Sequence, residues 1–217
     1  MSRYQLIVFD WDGTLMDSAG AIVRAIQAAA SDLSLPVPPE ARARHVIGLG
    51  LNEALQHAVP ELSPARYPEM VEAYRHHYLS SDHQLTLFDG VEAMLDDLRG
   101  AGHWLAVATG KSRIGLDRAL AHSGLQTRFL ASRCADECHS KPHPQMLEEL
   151  MSEFVVEPAA TLMIGDTSHD LLMAKNAGVD ALAVSYGAHP EAHLLAHAPL
   201  AALSTIEELA AWLKTNA

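Results

Sequence analysis

Leu6-Ile7-Val8-Phe9-Asp10-Trp11-Asp12-Gly13-Thr14 opens with four apolar residues and closes on two acids, a glycine and a threonine. An apolar run this short and unbroken suits a strand buried on both faces of a parallel sheet; a strand with one wet face would alternate. Residues 104–108, 161–164 and 181–184 repeat the shape. Between them, apolar residues recur at spacings of three and four: Val91, Met94, Leu95 and Leu98; Leu116, Ala119 and Leu120; Leu147, Leu150, Met151 and Phe154; Ile206, Leu209, Ala210 and Leu213. Each set falls on one helix face. Gly102, Gly124 and Gly178 follow these helices where a left-handed cap is expected. Strand and helix alternate, which predicts an α/β fold with a doubly wound parallel sheet of the Rossmann type.

Residues 18–82 break the alternation. They show only helical patterns, such as Ile22, Ile26, Ala29, Ala30 and Leu33, cut by Pro36, Pro38-Pro39, Gly48 and Ser63-Pro64. The expected organisation is an α/β core of residues 1–16 and 84–217 with a helical domain of residues 17–83 inserted after the first strand. A chain of 217 residues that is 49% hydrophobic has material for one core and a small accessory domain. The net charge of −12 speaks against nucleic acid or an anionic membrane as partner, because either would need a basic surface. With no run of about 18 uncharged apolar residues and no cleavable leader, a cytoplasmic protein is expected.

The two cysteines, Cys134 and Cys138, are too few for a disulfide framework and are read as incidental. A chance metal site with His139 and His143 is conceivable but disfavoured in a loop. His189, His193 and His197 read as solvated surface histidines.

In open α/β sheets, ligands bind beyond the carboxyl ends of the strands. The polar residues of interest lie at such ends: Asp10 and Asp12 in DWDGT, Thr109 in VATGK, Lys141 in KPHPQML, Asp166 and Asp170 in GDTSHD. Asp10 and Asp12 suit a nucleophile and an acid/base for a two-step displacement, although Asp12-Gly13 alone also reads as a turn. Asp166 and Asp170 offer oxygen ligands of the kind magnesium prefers, while Thr167 to Asp170 also reads as a helix capping box. Thr109, with the Gly110 backbone beside it, offers hydrogen bonds to a phosphoryl oxygen, and Lys141 a counter-charge for the acids.

The ordered set DWDGT, VATGK, KPHP and GDTSHD resembles the haloacid dehalogenase-like superfamily, over nearly the whole chain. The helical insertion is similar to the cap of its phosphoglycolate phosphatase and β-phosphoglucomutase subgroup. The resemblance implies that Asp10 is the nucleophile, Asp12 the general acid/base, and Thr109 and Lys141 the phosphoryl-holding pair. It implies Mg2+ on Asp10, the backbone carbonyl of Asp12 and Asp166, with Asp170 supporting directly or through water. It also implies phosphotransfer chemistry, since dehalogenases lack the acid at position 12, and the absence of any lysine from residues 18–82 disfavours a phosphonatase.

The expected activity is therefore hydrolysis of a small-molecule phosphate ester, 2-phosphoglycolate foremost, by a monomer or homodimer. A phosphosugar mutase and a non-catalytic phosphate-binding regulator are the alternatives; the second would be favoured by a missing motif residue, and none is missing. Arg42, Arg44 and His45, just before Gly48-Leu49-Gly50, are the expected substrate contacts of the cap. Trp11 and the pair Gly110-Lys111 depart from the usual pattern, which leaves the particular substrate open.

Overall fold

All four residues of the first apolar run are buried in a strand, β1 (Leu6–Phe9). In the chain, a computed structural model that describes residues 3–217, β1 is the middle of a six-stranded parallel sheet of order β3-β2-β1-β4-β5-β6. Met1 and Ser2, the start of the expected core segment, lie outside the described residues. The other strands are β2 (Trp104–Thr109), β3 (Ala131–Cys134), β4 (Thr161–Gly165), β5 (Asp180–Val184) and β6 (Ala202–Leu203). Ile7 and Phe9 of β1, with Leu105, Val107, Leu162 and Ile164, pack on one layer, which contains α5 (Val91–Gly100), α6 (Arg113–Ser123) and α10 (Ile206–Asn216). Leu6 and Val8, with Ala106, Ala108 and Met163, pack on the other, which contains α7 (Gln145–Phe154) and α8 (Ser168–Ala177). Every residue of β1 is thus apolar because both faces of the sheet are covered.

β3 and β6 do not stand out among the apolar runs. β3 reads ASRC and buries only Cys134, as an edge strand with Ser132 and Arg133 half-exposed. β6 is two half-buried residues on the opposite edge, beyond the short helix α9 (Glu191–Leu195). Gly124 and Gly178 do cap α6 and α8 in the left-handed conformation, with φ of +71° and +70°.

Residues 18–82 contain α1 (Ala19–Asp32), α2 (Glu40–His45), α3 (Leu51–Ala58) and α4 (Tyr67–Ser81). Ile22, Ile26, Ala29 and Ala30 of α1 meet Ala43, Leu55 and Met70 in a hydrophobic cluster of the insert's own, joined from the core by Ala188. The chain leaves the core and returns to it side by side: Met16 bridges Leu87, the Asp17 N–H donates to the Thr86 carbonyl at 3.0 Å, and the Phe88 N–H donates to the Leu15 carbonyl at 3.0 Å. No helix of the described residues is long and apolar enough to cross a membrane.

Candidate active site

The sheet order reverses direction between β1 and β4, and their carboxyl ends form the crevice where such folds bind ligands. Phe9 lies opposite Val107 on one side and Ile164 on the other. That register brings Asp10, Thr109 and Asp166 to within two residues of one rung, although they are far apart in the chain. The loop after β3 adds Lys141. Its ammonium lies 2.8 Å from Asp10 Oδ1 and 2.7 Å from Asp170 Oδ1. Carboxylate oxygens of Asp10, Asp166 and Asp170 lie within 4.8 Å of one another, and all three side chains are buried.

Each member is held by its surroundings. Asp166 Oδ1 accepts from the Thr14 hydroxyl at 2.9 Å, and Oδ2 from the Ala188 N–H at 2.7 Å. Asp170 Oδ2 accepts from the N–H and hydroxyl of Thr167, at 3.1 and 2.6 Å, so the capping box that opens α8 is real. Thr109 is fully buried, and its hydroxyl accepts from the Lys111 N–H at 3.2 Å. Gly13 turns the chain at a φ of +82°, and a Cβ there would collide with the Asp166 carboxylate. Only glycine lets the loop after β1 come this close to the acid.

The charges do not balance. Three buried carboxylates face one ammonium, which leaves two negative charges uncompensated when all are ionised. Burial pushes the Asp10 carboxyl well above its ordinary value; Lys141 pulls it back, and Asp170 and Asp166 push it up further. Burial, and then the neighbouring Asp170, raises Asp166 to about 7. For Lys141 burial acts downward, but Asp10 and Asp170 outweigh it and the ammonium is held in its charged form.

This donor set fits a hard divalent cation. The donors are all oxygen, Asp10 Oδ2 is buried without a hydrogen-bond donor, and the excess charge is two. Asp10 Oδ2 is the free oxygen; those of Asp166 each accept one hydrogen bond, from Thr14 and Ala188, and those of Asp170 are taken up by Thr167 and Lys141.

The raised Asp166 yields a pH prediction. A carboxyl whose folded pKa lies above its unfolded value makes the folded state bind protons more tightly. Stability therefore falls as pH rises from about 4 to about 7, and the full penalty stands above that window. A cation that offsets the charge should raise the melting midpoint more at pH 8 than at pH 6, where it must displace a proton. Thermal melts with Mg2+ and with chelator at both pH values check this; an equal gain at both would contradict it.

Asp12 is held apart from the cluster. Its Oδ1 accepts from the Ser18 hydroxyl at 2.7 Å, and Lys111 Nζ lies 3.0 and 3.1 Å from its two oxygens. Lys111 also donates to the Tyr78 hydroxyl at 3.0 Å and lies 4.9 Å from that ring's centroid. For Lys111 burial acts downward, but Asp12 and Tyr78 outweigh it and the ammonium stays charged. Sequence reading set Lys111 only beside the pocket, outside the reacting residues, and did not anticipate Tyr78. The only signal was the lysine following Gly110.

The arrangement is a buried carboxylate beside a lysine, a second acid paired with a lysine of its own and an oxygen-rich cluster able to hold a cation, all at the carboxyl end of a parallel sheet. A family model described as haloacid dehalogenase-like hydrolase matches residues 7–184. The chain belongs to the haloacid dehalogenase-like hydrolases. It is 38% identical over 210 residues to the probable phosphatase IndB of Dickeya dadantii, covering 94% of this chain and 91% of that one. It is 32% identical over 192 residues to the phosphoglycolate phosphatase of Vibrio vulnificus, covering 84% of each. The crystal structure of a predicted phosphoglycolate phosphatase from Haemophilus somnus superposes with a TM-score of 0.87 at 25% identity, over all of both chains.

In this haloacid dehalogenase-like hydrolase a cavity of about 790 Å³ opens from Asp12 and lies between the insert and the core. Residues 46–51 line it, but Arg42 and Arg44 do not. Arg44 pairs with Glu40 at 2.8 Å, one helical turn back, and Arg42 is exposed. α2 turns both away from the cavity. His45 is likewise absent from its wall: its carbonyl accepts from the rings of His169 and His189, at 2.8 and 3.1 Å. Gly110 lines the cavity, pressed so closely against the carbonyls of Gly48 and Leu49 that a Cβ would lie 2.6 and 2.5 Å from them.

One histidine reading changes. His189 is not solvated: it is 2% exposed, accepts from the Ser168 N–H at 3.0 Å, and is pushed down to about 4, first by burial and then by His169. Cys134, Cys138, His139 and His143 are not among the groups of described residues able to share an ion. Cys134 is buried and Cys138 lies 3.7 Å from Glu149, with burial pushing their thiols up to about 12 and about 11.

Proposed function

We propose that this chain is a Mg2+-dependent phosphomonoesterase in which the Asp10 carboxylate is the nucleophile. The observation that carries the proposal is the placement of Asp10: a buried carboxylate in contact with Lys141, among two further acids, at the mouth of the sheet crevice. Asp10, Asp166 and the carbonyl of Asp12 would hold the magnesium, with Asp170 behind them. Magnesium would neutralise the gathered charge and draw electron density from the phosphoryl oxygens.

The chain's own groups then have distinct tasks. Thr109 and Lys141 would bind and orient the phosphoryl group. An Asp10 oxygen forms a bond to phosphorus as the ester P–O bond breaks, and Asp12 gives its proton to the departing alkoxide. In the second half Asp12 takes a proton from water as that water attacks phosphorus, phosphate leaves, and the Asp10 carboxylate is restored. Ser18 and Lys111 would hold the Asp12 side chain in place for this exchange, Lys111 steadying the carboxylate once its proton has been given up. Residues 17–83 would serve as the cap over a core of residues 1–16 and 84–217, excluding water from this exchange.

An aryl phosphate should release phosphate steadily with Mg2+ present and stop when excess chelator is added, with 2-phosphoglycolate run beside it as the substrate named for the Vibrio relative. Undiminished release in chelator would remove the metal from the scheme.

A further inference from the structure

We propose that the alcohol portion of the substrate is a bulky, mainly apolar or aromatic group seated between insert and core, and that a two-carbon acid such as 2-phosphoglycolate is a poor substrate. The proposal rests on the phosphatase reading above and narrows its substrate class.

The first support is size and position. The cavity reaches Asp12, the group that faces the leaving alcohol, and its 790 Å³ lies in the upper part of the roughly 300–1,000 Å³ range of pockets that enclose drug-sized molecules. A two-carbon acid would leave most of it to water. The second support is the wall. Trp11, Ile22, Val46, Leu49, Val71 and Tyr74 come from four separate segments and present apolar or aromatic surface. Tyr74 and Tyr78, one turn apart on α4, stack with centroids 5.8 Å apart and rings inclined by 14°, a flat aromatic panel beside Asp12.

The third support is charge. In 2-phosphoglycolate the carboxylate is one carbon from the ester oxygen, so it must sit close to Asp12. The cation there, Lys111, is already shared by Asp12 and Tyr78. Arg118 is paired with Asp82 at 3.0 Å, and Arg75 is exposed. A second carboxylate beside Asp12 would therefore meet desolvation and competition for Lys111, with Arg75, exposed on α4, as the further cation of the wall. An apolar group meets neither cost. The fourth support lies at the cavity's edge, where Leu79 and Ile114 are 42% and 82% exposed although both line the opening. Large apolar side chains left this bare beside a pocket are covered when a ligand with its own apolar surface enters.

Contacts remote from phosphorus raise kcat/KM when they persist into the transition state. The test compares 2-phenylethyl phosphate, ethyl phosphate and 2-phosphoglycolate under Mg2+; the first two esters release alcohols of similar acidity, so their difference reports the pocket and not the leaving group. We expect 2-phenylethyl phosphate to exceed both others in kcat/KM by about 100-fold, the scale on which apolar pockets discriminate. Ile114→Ser and Leu79→Ser, both at exposed positions, should each reduce that ratio severalfold. Equal or higher kcat/KM for 2-phosphoglycolate would overturn the proposal and leave the phosphatase reading intact. A preference that neither substitution alters would overturn the assigned location. No turnover of these esters or of an aryl phosphate would remove both readings together.

Discussion

Asp10→Asn is expected to leave a folded protein that releases no measurable phosphate. The substitution keeps the shape of the side chain and removes the charge that attacks phosphorus, so the lost rate should be of the size seen for removing a nucleophile, about 10⁴- to 10⁶-fold in kcat. Stability should not fall with it. Burial and the neighbouring acids already oppose ionisation of this carboxyl, and a neutral amide relieves that opposition in the metal-free protein, while Lys141 keeps Asp170 as a partner at 2.7 Å. Phosphate release and thermal melting in chelator, measured on the same preparation, separate chemistry from folding. Activity within tenfold of the parent enzyme would show that another group makes the bond to phosphorus.

Lys141→Met should have the opposite balance, costing stability as well as activity. Its ammonium is fully buried and is the partner of both Asp10 and Asp170. Removing one member of a buried ion pair strands the other, at about 3–5 kcal/mol. At about 2–4 °C per kcal/mol for a chain of this length, the midpoint should drop by on the order of 10 °C in chelator at pH 8. The sign of the pH effect follows from the same charges. Without Lys141 the buried acids hold protons still more tightly than they do unfolded, so the variant should regain stability as pH falls, and should regain it at pH 8 when Mg2+ is added. Melting curves at pH 6 and pH 8, with and without the ion, test both statements; a variant that melts with the parent under all four conditions would mean that the acids are not charged together in the folded protein.

How much of this was readable beforehand differs by element. β1, β2, β4 and β5 announce themselves because strands covered on both faces must be apolar at every position. β3 does not, since an edge strand can carry Ser132 and Arg133 half-exposed, and β6 is too short to have a pattern. Asp10, Thr109 and Asp166 are legible because each ends a strand or directly follows one, and the parallel register converts that position into proximity, whereas Lys141 is legible only as a member of the ordered motif set.

The partnership of Lys111 with Tyr78 was not legible. It joins residues 33 positions apart across the seam of insert and core, and nothing in local spacing predicts how two separately packed units meet. Arg42 and Arg44 fail for the same reason: their nearness in sequence to Gly48 says nothing of which way a six-residue helix faces. His189 looked wet because its neighbours Pro190 and Glu191 are polar or turn-forming, yet the loop containing it folds under His45.

Asp170 performs two jobs with one side chain: one oxygen begins α8 through Thr167, and the other faces the lysine beside Asp10. A deep mutational scan scored on abundance would therefore class position 170 with the helix starts, and one scored on turnover would class it with the reacting residues. Neither ranking alone could say whether an inactive variant was misfolded or merely misarranged. In family-wide comparisons, a shared aspartate at this place would record selection for both tasks at once, and its persistence is no measure of either.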